Sequence, residues 1–133
     1  MKLVFPIHPR TQARLQEHGL EKDLQSNPNI ICRGPLGYNH VLCLTSQAKV
    51  IVTDSGGLHD ELTALDVPCL TMRPNTERPI TVTDGTSTLV GNDAVKLQLH
   101  LKEVIDGTYK LGKCPELWDG KAAQRIVDVL LKS

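Results

Sequence analysis

Lys49 to Glu61, KVIVTDSGGLHDE, decides how the rest of the chain is read. Val50-Ile51-Val52 is a β-branched run with the length and composition of a buried strand. It stops at Thr53-Asp54-Ser55, Gly56-Gly57 follow, and Leu58, Leu62 and Leu65 then recur at helical spacing. The pattern is strand, tight glycine turn, helix. Two readings fit such a turn. Gly-Gly after a strand is common in α/β folds as packing punctuation alone. The other reading is an anion receptor, because glycines bring no Cβ to keep a ligand from the backbone. The free N–H groups of a helix start also favour negative charge. On that reading Ser55 adds a hydroxyl donor and Glu61 can accept a hydrogen bond from a sugar hydroxyl, so a phosphate carrying a ribose would fit.

Working outward, strands and helices alternate. Residues 2–7 read as a strand and Arg10 to His18 as a helix closed by Gly19. Ser26-Asn27-Pro28-Asn29 is a turn, Ile30-Ile31-Cys32 a second strand, and Tyr38 to Ala48 a helix with Val41, Leu44 and Ala48 on one face. Beyond the glycine turn, Val67 to Thr71 reads as a strand with its proline at the start. Met72 to Thr86 is a long connection, and Thr88-Leu89-Val90 a short strand. Asn92-Asp93 can cap a helix striped by Leu97, Leu101, Val104 and Ile105, which Asp106-Gly107 ends. A last helix from about Gly120 to Leu131 has Ala123, Ile126, Val127 and Leu130 as its expected buried face. Alternation of this kind predicts an α/β fold, a Rossmann-like parallel sheet flanked by helices. Ligands of such sheets bind outside the carboxyl ends of the strands. The loops at that edge are His8-Pro9, Pro35 to Tyr38, Asp54 to Gly57 and Arg73 to Arg78.

At 133 residues the chain is expected to be a single domain spanning 1–133. Formal net charge is zero and aromatics are 3%, so neither charge nor base stacking argues for nucleic acid or an acidic membrane. Cys32, Cys43, Cys69 and Cys114 form no zinc pattern, and the first three sit in apolar runs like small core residues. Reduced thiols and a cytoplasmic location are the expectation, with no metal and no cofactor. Leu3-Val4-Phe5 is a core-type strand with no lead-in, as if the chain opened within a larger α/β unit.

Among the loop residues, Arg78 is the best cation for a diphosphate, since its planar fork matches phosphate oxygens. A surface salt bridge with Glu77 or Asp84 is its alternative. His8 reads as a loop cap. His40 and His59 flank candidate loops without an obvious carboxylate partner, and His18 and His100 read as helix-surface residues. Asp60 and Glu61 diverge by about 100° on a helix, so they do not form an acid–base pair on one substrate. Trp118 reads as a docking anchor for the last helix.

Together these stretches resemble the non-hydrolysing UDP-N-acetylglucosamine 2-epimerases. The residues that carry the resemblance are VFPIHPRT (4–11), PLGY (35–38), TDSGGLHDE (53–61), PCLTMRPNTERPITV (68–82), GTSTLVG (85–91) and LWDGKAAQRIV (117–127), in the family's order. The family has two Rossmann-like domains in the glycosyltransferase-B arrangement, and this sequence is similar to most of the second, UDP-binding domain. The resemblance implies interconversion of UDP-N-acetylglucosamine and UDP-N-acetylmannosamine, by elimination of UDP and its re-addition. It implies that Ser55, Gly56 and Gly57 hold the diphosphate, Glu61 the ribose hydroxyls, and Arg78 the phosphate side. Leu36 and Val41 would flank the uracil, and His8 would match a histidine near a regulatory site. Where the family usually has Gln and Glu, this chain has His59 and Asp60.

The family's acid–base carboxylates have no counterpart here, so the isolated chain is expected to be inactive. A separately encoded N-terminal half, or self-association, would be its protein partner, and UDP or a UDP-N-acetylhexosamine its ligand. A non-catalytic nucleotide-sensing or interaction module that keeps the fold is the alternative.

Overall fold

The computed structural model describes residues 1–132, and the chain forms two compact units, 1–43 and 44–133. In the first, β1 (Leu3–Pro6) and β2 (Ile30–Arg33) pair in parallel, with Leu3 opposite Ile30 and Pro6 opposite Arg33. Between them lie α1 (Pro9–Glu17) and α2 (Glu21–Ser26). His8 caps α1, its Nδ1 accepting the Arg10 N–H at 3.3 Å, and proline takes the first helical turn, where no N–H is needed. The loop-cap reading of His8 is therefore what the fold shows. Helix α2 was not legible in the sequence, because six residues are too short for an apolar period and its start has no side-chain cap. The helix α3 (Tyr38–Ser46) begins in this unit and runs into the second.

The second unit is built on three parallel strands in sequential order, β3 (Ile51–Thr53), β4 (Cys69–Thr71) and β5 (Ser87–Leu89). Thr53 pairs with Thr71, and Thr71 with Leu89, so all three strands end side by side. Successive residues of a strand face opposite sides of the sheet, and the central strand shows it. Cys69 packs with Leu62 and Val67 in one apolar cluster, against Ala48, Ile51 and Leu58. Leu70 packs with Val90, Val104 and Tyr109 in the other, against Val50, Leu97 and Leu101. The helices that cover these faces are α4 (Leu58–Ala64) and α6 (Ala94–Asp106). Asp93 caps α6 by accepting the Val95 and Lys96 N–H groups, and Gly107 closes it at a left-handed φ of 73°. Tyr109 donates to the Thr86 carbonyl at 2.9 Å, and burial pushes its phenol up to about 12.

Several expectations are corrected here. The 72–86 connection contains a short helix, α5 (Pro79–Thr83), started by Pro79 and by a Thr81 Oγ1 bond to the Arg78 carbonyl at 2.7 Å. Ile105 is half exposed, because only one side of α6 meets the sheet. Cys43 is exposed, whereas Cys69 is buried, and burial pushes the Cys69 thiol up. His100 is partly buried, paired with Glu103 at 2.7 Å and set edge-on to Tyr109. The largest correction concerns α7 (Ala122–Lys132), whose apolar face is not buried. Ala123 and Val127 are exposed, Ile126 is 59% exposed and Leu130 67%. Periodicity makes this helix amphipathic but does not supply a surface for it to cover. Its start is held instead by Arg125, whose guanidinium grips both Asp119 carboxylate oxygens at 3.0 Å and the Leu117 carbonyl at 2.7 Å. That grip holds the Asp119 carboxyl down at about 2. Trp118 is partly buried.

Among the described residues, no helix is long and apolar enough to cross a membrane, and no group of three or more His, Cys, Asp or Glu side chains could hold a metal ion.

Candidate functional site

Because β3, β4 and β5 are parallel and end in register, the segments 54–57, 72–78 and 90–93 leave one edge of the sheet together. Backbone bonds hold that edge. The Met72 N–H donates to the Thr53 carbonyl, and the Val90 N–H to the Thr71 carbonyl, both at 2.8 Å. The glycine turn therefore lies beside the 72–78 loop, as carboxyl-end geometry requires.

The turn itself is ordered by Thr53, whose Oγ1 accepts the Ser55 N–H at 3.0 Å. Gly57 is the residue before α4, with φ −66° and ψ −23° and no side-chain cap. Gly56 lets the 72–78 loop approach closely and has no unusual φ. A Cβ there would lie 3.1 Å from Glu77 Oε2 and 3.3 Å from Arg73 Nη1. Those two groups form an ion pair at 2.9 Å, and the hydrogen bond from Arg73 holds the Glu77 carboxyl below the usual carboxylate range. Ser55 and Gly57 are exposed, and Glu61, in the first turns of α4, is partly buried.

Arg78 is half exposed and pairs with Asp60 of α4, not with Glu77 or Asp84. The sequence missed this partner because Asp60 and Arg78 meet only when α4 and the loop fold onto one another. The other oxygen of Asp60, Oδ1, is buried with no hydrogen-bond partner. The site thus holds two guanidinium groups, each neutralised by an internal carboxylate, over a backbone turn without side chains. A polyanion can replace those carboxylates, and charge-assisted bonds to Arg forks are the strong ones.

His59 is the residue that sequence reading undervalued. Its side chain is 0% exposed. Nε2 lies 3.1 Å from Thr71 Oγ1, and Nδ1 lies 3.3 Å from Thr76 Oγ1. Burial pushes its imidazole below the ordinary 6.5, Arg73 and Arg78 push the same way, and Asp60 and Glu77 oppose them. Thr76 in turn accepts the Arg78 N–H at 3.0 Å, a local turn bond that a threonine two residues before Arg78 could have signalled. Arg73 was also missed. The cue was its place, two residues after the β4 strand end and four residues before Glu77.

The other expected site residues belong to the first unit. Leu36 and Val41 are partly buried, and the Val41 N–H donates to the Gly37 carbonyl at 3.1 Å, which fixes the start of α3. His8 follows β1 and the 34–37 loop follows β2, so both leave the carboxyl edge of that two-stranded parallel sheet.

Comparison with known proteins gives a consistent result. The family model described as UDP-N-acetylglucosamine 2-epimerase matches residues 1–131. A relative of that name from Methanocaldococcus jannaschii is 43% identical over 128 residues, which is 96% of this chain and 34% of the relative. One from Methanococcus maripaludis is 38% identical over 133 residues, again 96% of this chain and 34% of the relative. The crystal structure of the M. jannaschii UDP-GlcNAc 2-epimerase in complex with UDP-GlcNAc and UDP superposes with a TM-score of 0.83 at 41% identity, over 99% of this chain and 36% of that one. The chain spans about a third of the length of the relatives it matches.

Proposed function

The chain belongs to the UDP-N-acetylglucosamine 2-epimerase family, and on that premise we propose that it is the nucleotide-sugar-binding part of such an epimerase. Its ligand is UDP or a UDP-N-acetylhexosamine. The diphosphate lies on the 55–57 turn, held by Ser55, Gly56 and Gly57. Arg78 exchanges the Asp60 carboxylate for a phosphate oxygen. Glu61 accepts from the ribose, and Leu36 and Val41 flank the uracil. The observation that supports this reading most is the convergence of a side-chain-free turn with two guanidinium groups at one sheet edge.

The reaction of the family inverts C2 of the sugar by loss and return of UDP. This chain's contribution is to bind the departing diphosphate and stabilise its charge, as cations and backbone donors do for a leaving group. Removing the C2 proton needs a positioned base within hydrogen-bond reach. Asp60 and Glu77 are committed to arginines and are not such a base. We infer that the base that moves the proton lies outside these 133 residues.

Calorimetric titration with UDP tests the reading. Binding in the micromolar to millimolar range is expected, weakened roughly tenfold by Arg78→Ala, the order expected for a charged hydrogen bond. Gly56→Ala should have a smaller effect, since the Arg73–Glu77 pair need shift only slightly to admit the Cβ. No heat at millimolar UDP, or equal affinity in Arg78→Ala, counts against the proposal. Sugar inversion by this chain alone would overturn the division of labour.

A further inference from the structure

His59 occupies an unusual position for a histidine, fully buried beneath the loop that carries both arginines. One tautomer of His59 links the hydrogen bonds around it into a single run. The Arg78 N–H can only donate, so Thr76 Oγ1 is its acceptor at 3.0 Å. The Thr76 hydroxyl proton is then free to point to His59 Nδ1, 3.3 Å away. A neutral imidazole that accepts at Nδ1 carries its proton on Nε2. Nε2–H donates to Thr71 Oγ1 at 3.1 Å, and the Thr71 hydroxyl points to Cys69 Sγ at 3.7 Å. The result is one chain of donors and acceptors from the loop backbone at Arg78 to the central strand of the sheet.

We propose that His59 is a positioning residue, and that its neutral form holds the 72–78 loop, with Arg73 and Arg78, against the glycine turn. This rests on the nucleotide-sugar reading of the site. Protonation reverses the Nδ1 end of the chain. Nδ1–H would face Thr76 Oγ1, and the Thr76 proton would have to turn away from the ring. It would also put an unhydrated cation beside Arg73 and Arg78, offset in part by Asp60 and Glu77. The remaining neighbours on β4, Thr71 and Cys69, are neutral. A glutamine side chain cannot titrate, so His59→Gln separates a pH-dependent loss of grip at His59 from one that arises elsewhere. The sign of the loss at His59 follows from burial. The folded imidazole takes up its proton below 6.5, so the hold is complete above that pH and is lost as pH falls below it.

The test uses the intact chain in two measurements from pH 8 to pH 5. Hydrogen–deuterium exchange over residues 72–78, corrected for the intrinsic rate, reports the loop. Calorimetry with UDP-N-acetylglucosamine, whose diphosphate does not titrate in this range, reports the site. The wild type should show faster loop exchange and roughly three- to tenfold weaker binding at the acid end, the order of one or two lost hydrogen bonds. His59→Gln, which has one donor and one acceptor but no titration, should match the wild type at pH 8 and lose the pH dependence of both readouts. His59→Leu should show the loosened loop at every pH. An unchanged pH profile in His59→Gln, or a wild-type loop insensitive to pH, overturns the proposal. Absence of any binding by the wild type at pH 8 overturns the nucleotide reading instead, and loop exchange then decides the role of His59.

Discussion

The two compact units use the same parallel strand pairing and bury it very differently. In the second, Leu62, Val67, Cys69, Leu70, Val90, Val104 and Tyr109 are buried on the two faces of one sheet. In the first, Ile7 is the one hydrophobic side chain that is buried among the described residues. Leu3 stays 48% exposed and Val4 41%, whereas Cys69, Leu70 and Thr71 of β4 are fully buried. The difference teaches that an apolar run specifies a strand, while burial of that strand depends on helices apolar enough to cover it. The first unit's α1 and α2 are mostly polar and bury none of their residues. The candidate anion site sits on the well-packed unit, where a rigid sheet edge can hold a turn and a loop in fixed relation.

Removal of a core side chain should separate the units most. Leu70→Ala should cost about 2–5 kcal/mol in urea unfolding, and Val4→Ala less than ~1 kcal/mol, since little area is lost. Equal losses would break the comparison. Backbone crowding gives the next contrast. At Gly85 a Cβ would lie 2.6 Å from both Thr63 Oγ1 and the Thr81 carbonyl, whereas at Gly34 nothing lies within 4 Å. Gly85→Ala should therefore destabilise by about 1–3 kcal/mol and Gly34→Ala should stay within ~0.5 kcal/mol, both read by thermal melting.

Tyr109→Phe should lose about 1 kcal/mol at neutral pH with the bond to Thr86. It should also change the alkaline limb. The folded phenol ionises near 12 and the unfolded one near 10, so its stabilisation is present below pH 10 and lost as pH rises toward 12. The wild type should weaken over that window more steeply than the variant. Last, Arg14→Ala removes an exposed pair with Glu17 in the first unit and should change stability by less than ~0.5 kcal/mol. A larger loss would mean that surface charge holds this unit where apolar burial does not.

The glycine-turn segment was legible because its information is local. A β-branched run, two glycines and a leucine period need no distant partner to be recognised. The capping of α6 by Asp93 was legible for the same reason. Helix α5 was hidden in the 72–86 connection because five residues carry too little periodicity. His59 was misread because its value comes from Thr71 and Thr76, twelve and seventeen positions away.

Local chemistry along the chain was thus enough to set the order of the strands and of the longer helices, the parallel α/β class and the side-chain-free turn at 56–57. Folding alone decided that Asp60 pairs with Arg78, that Arg73 and Glu77 stand over Gly56, and that α7 keeps its apolar face exposed. The physical reason is range. Periodicity and turn preference act over a few residues, whereas ion pairs and burial require segments brought together by the register of the sheet.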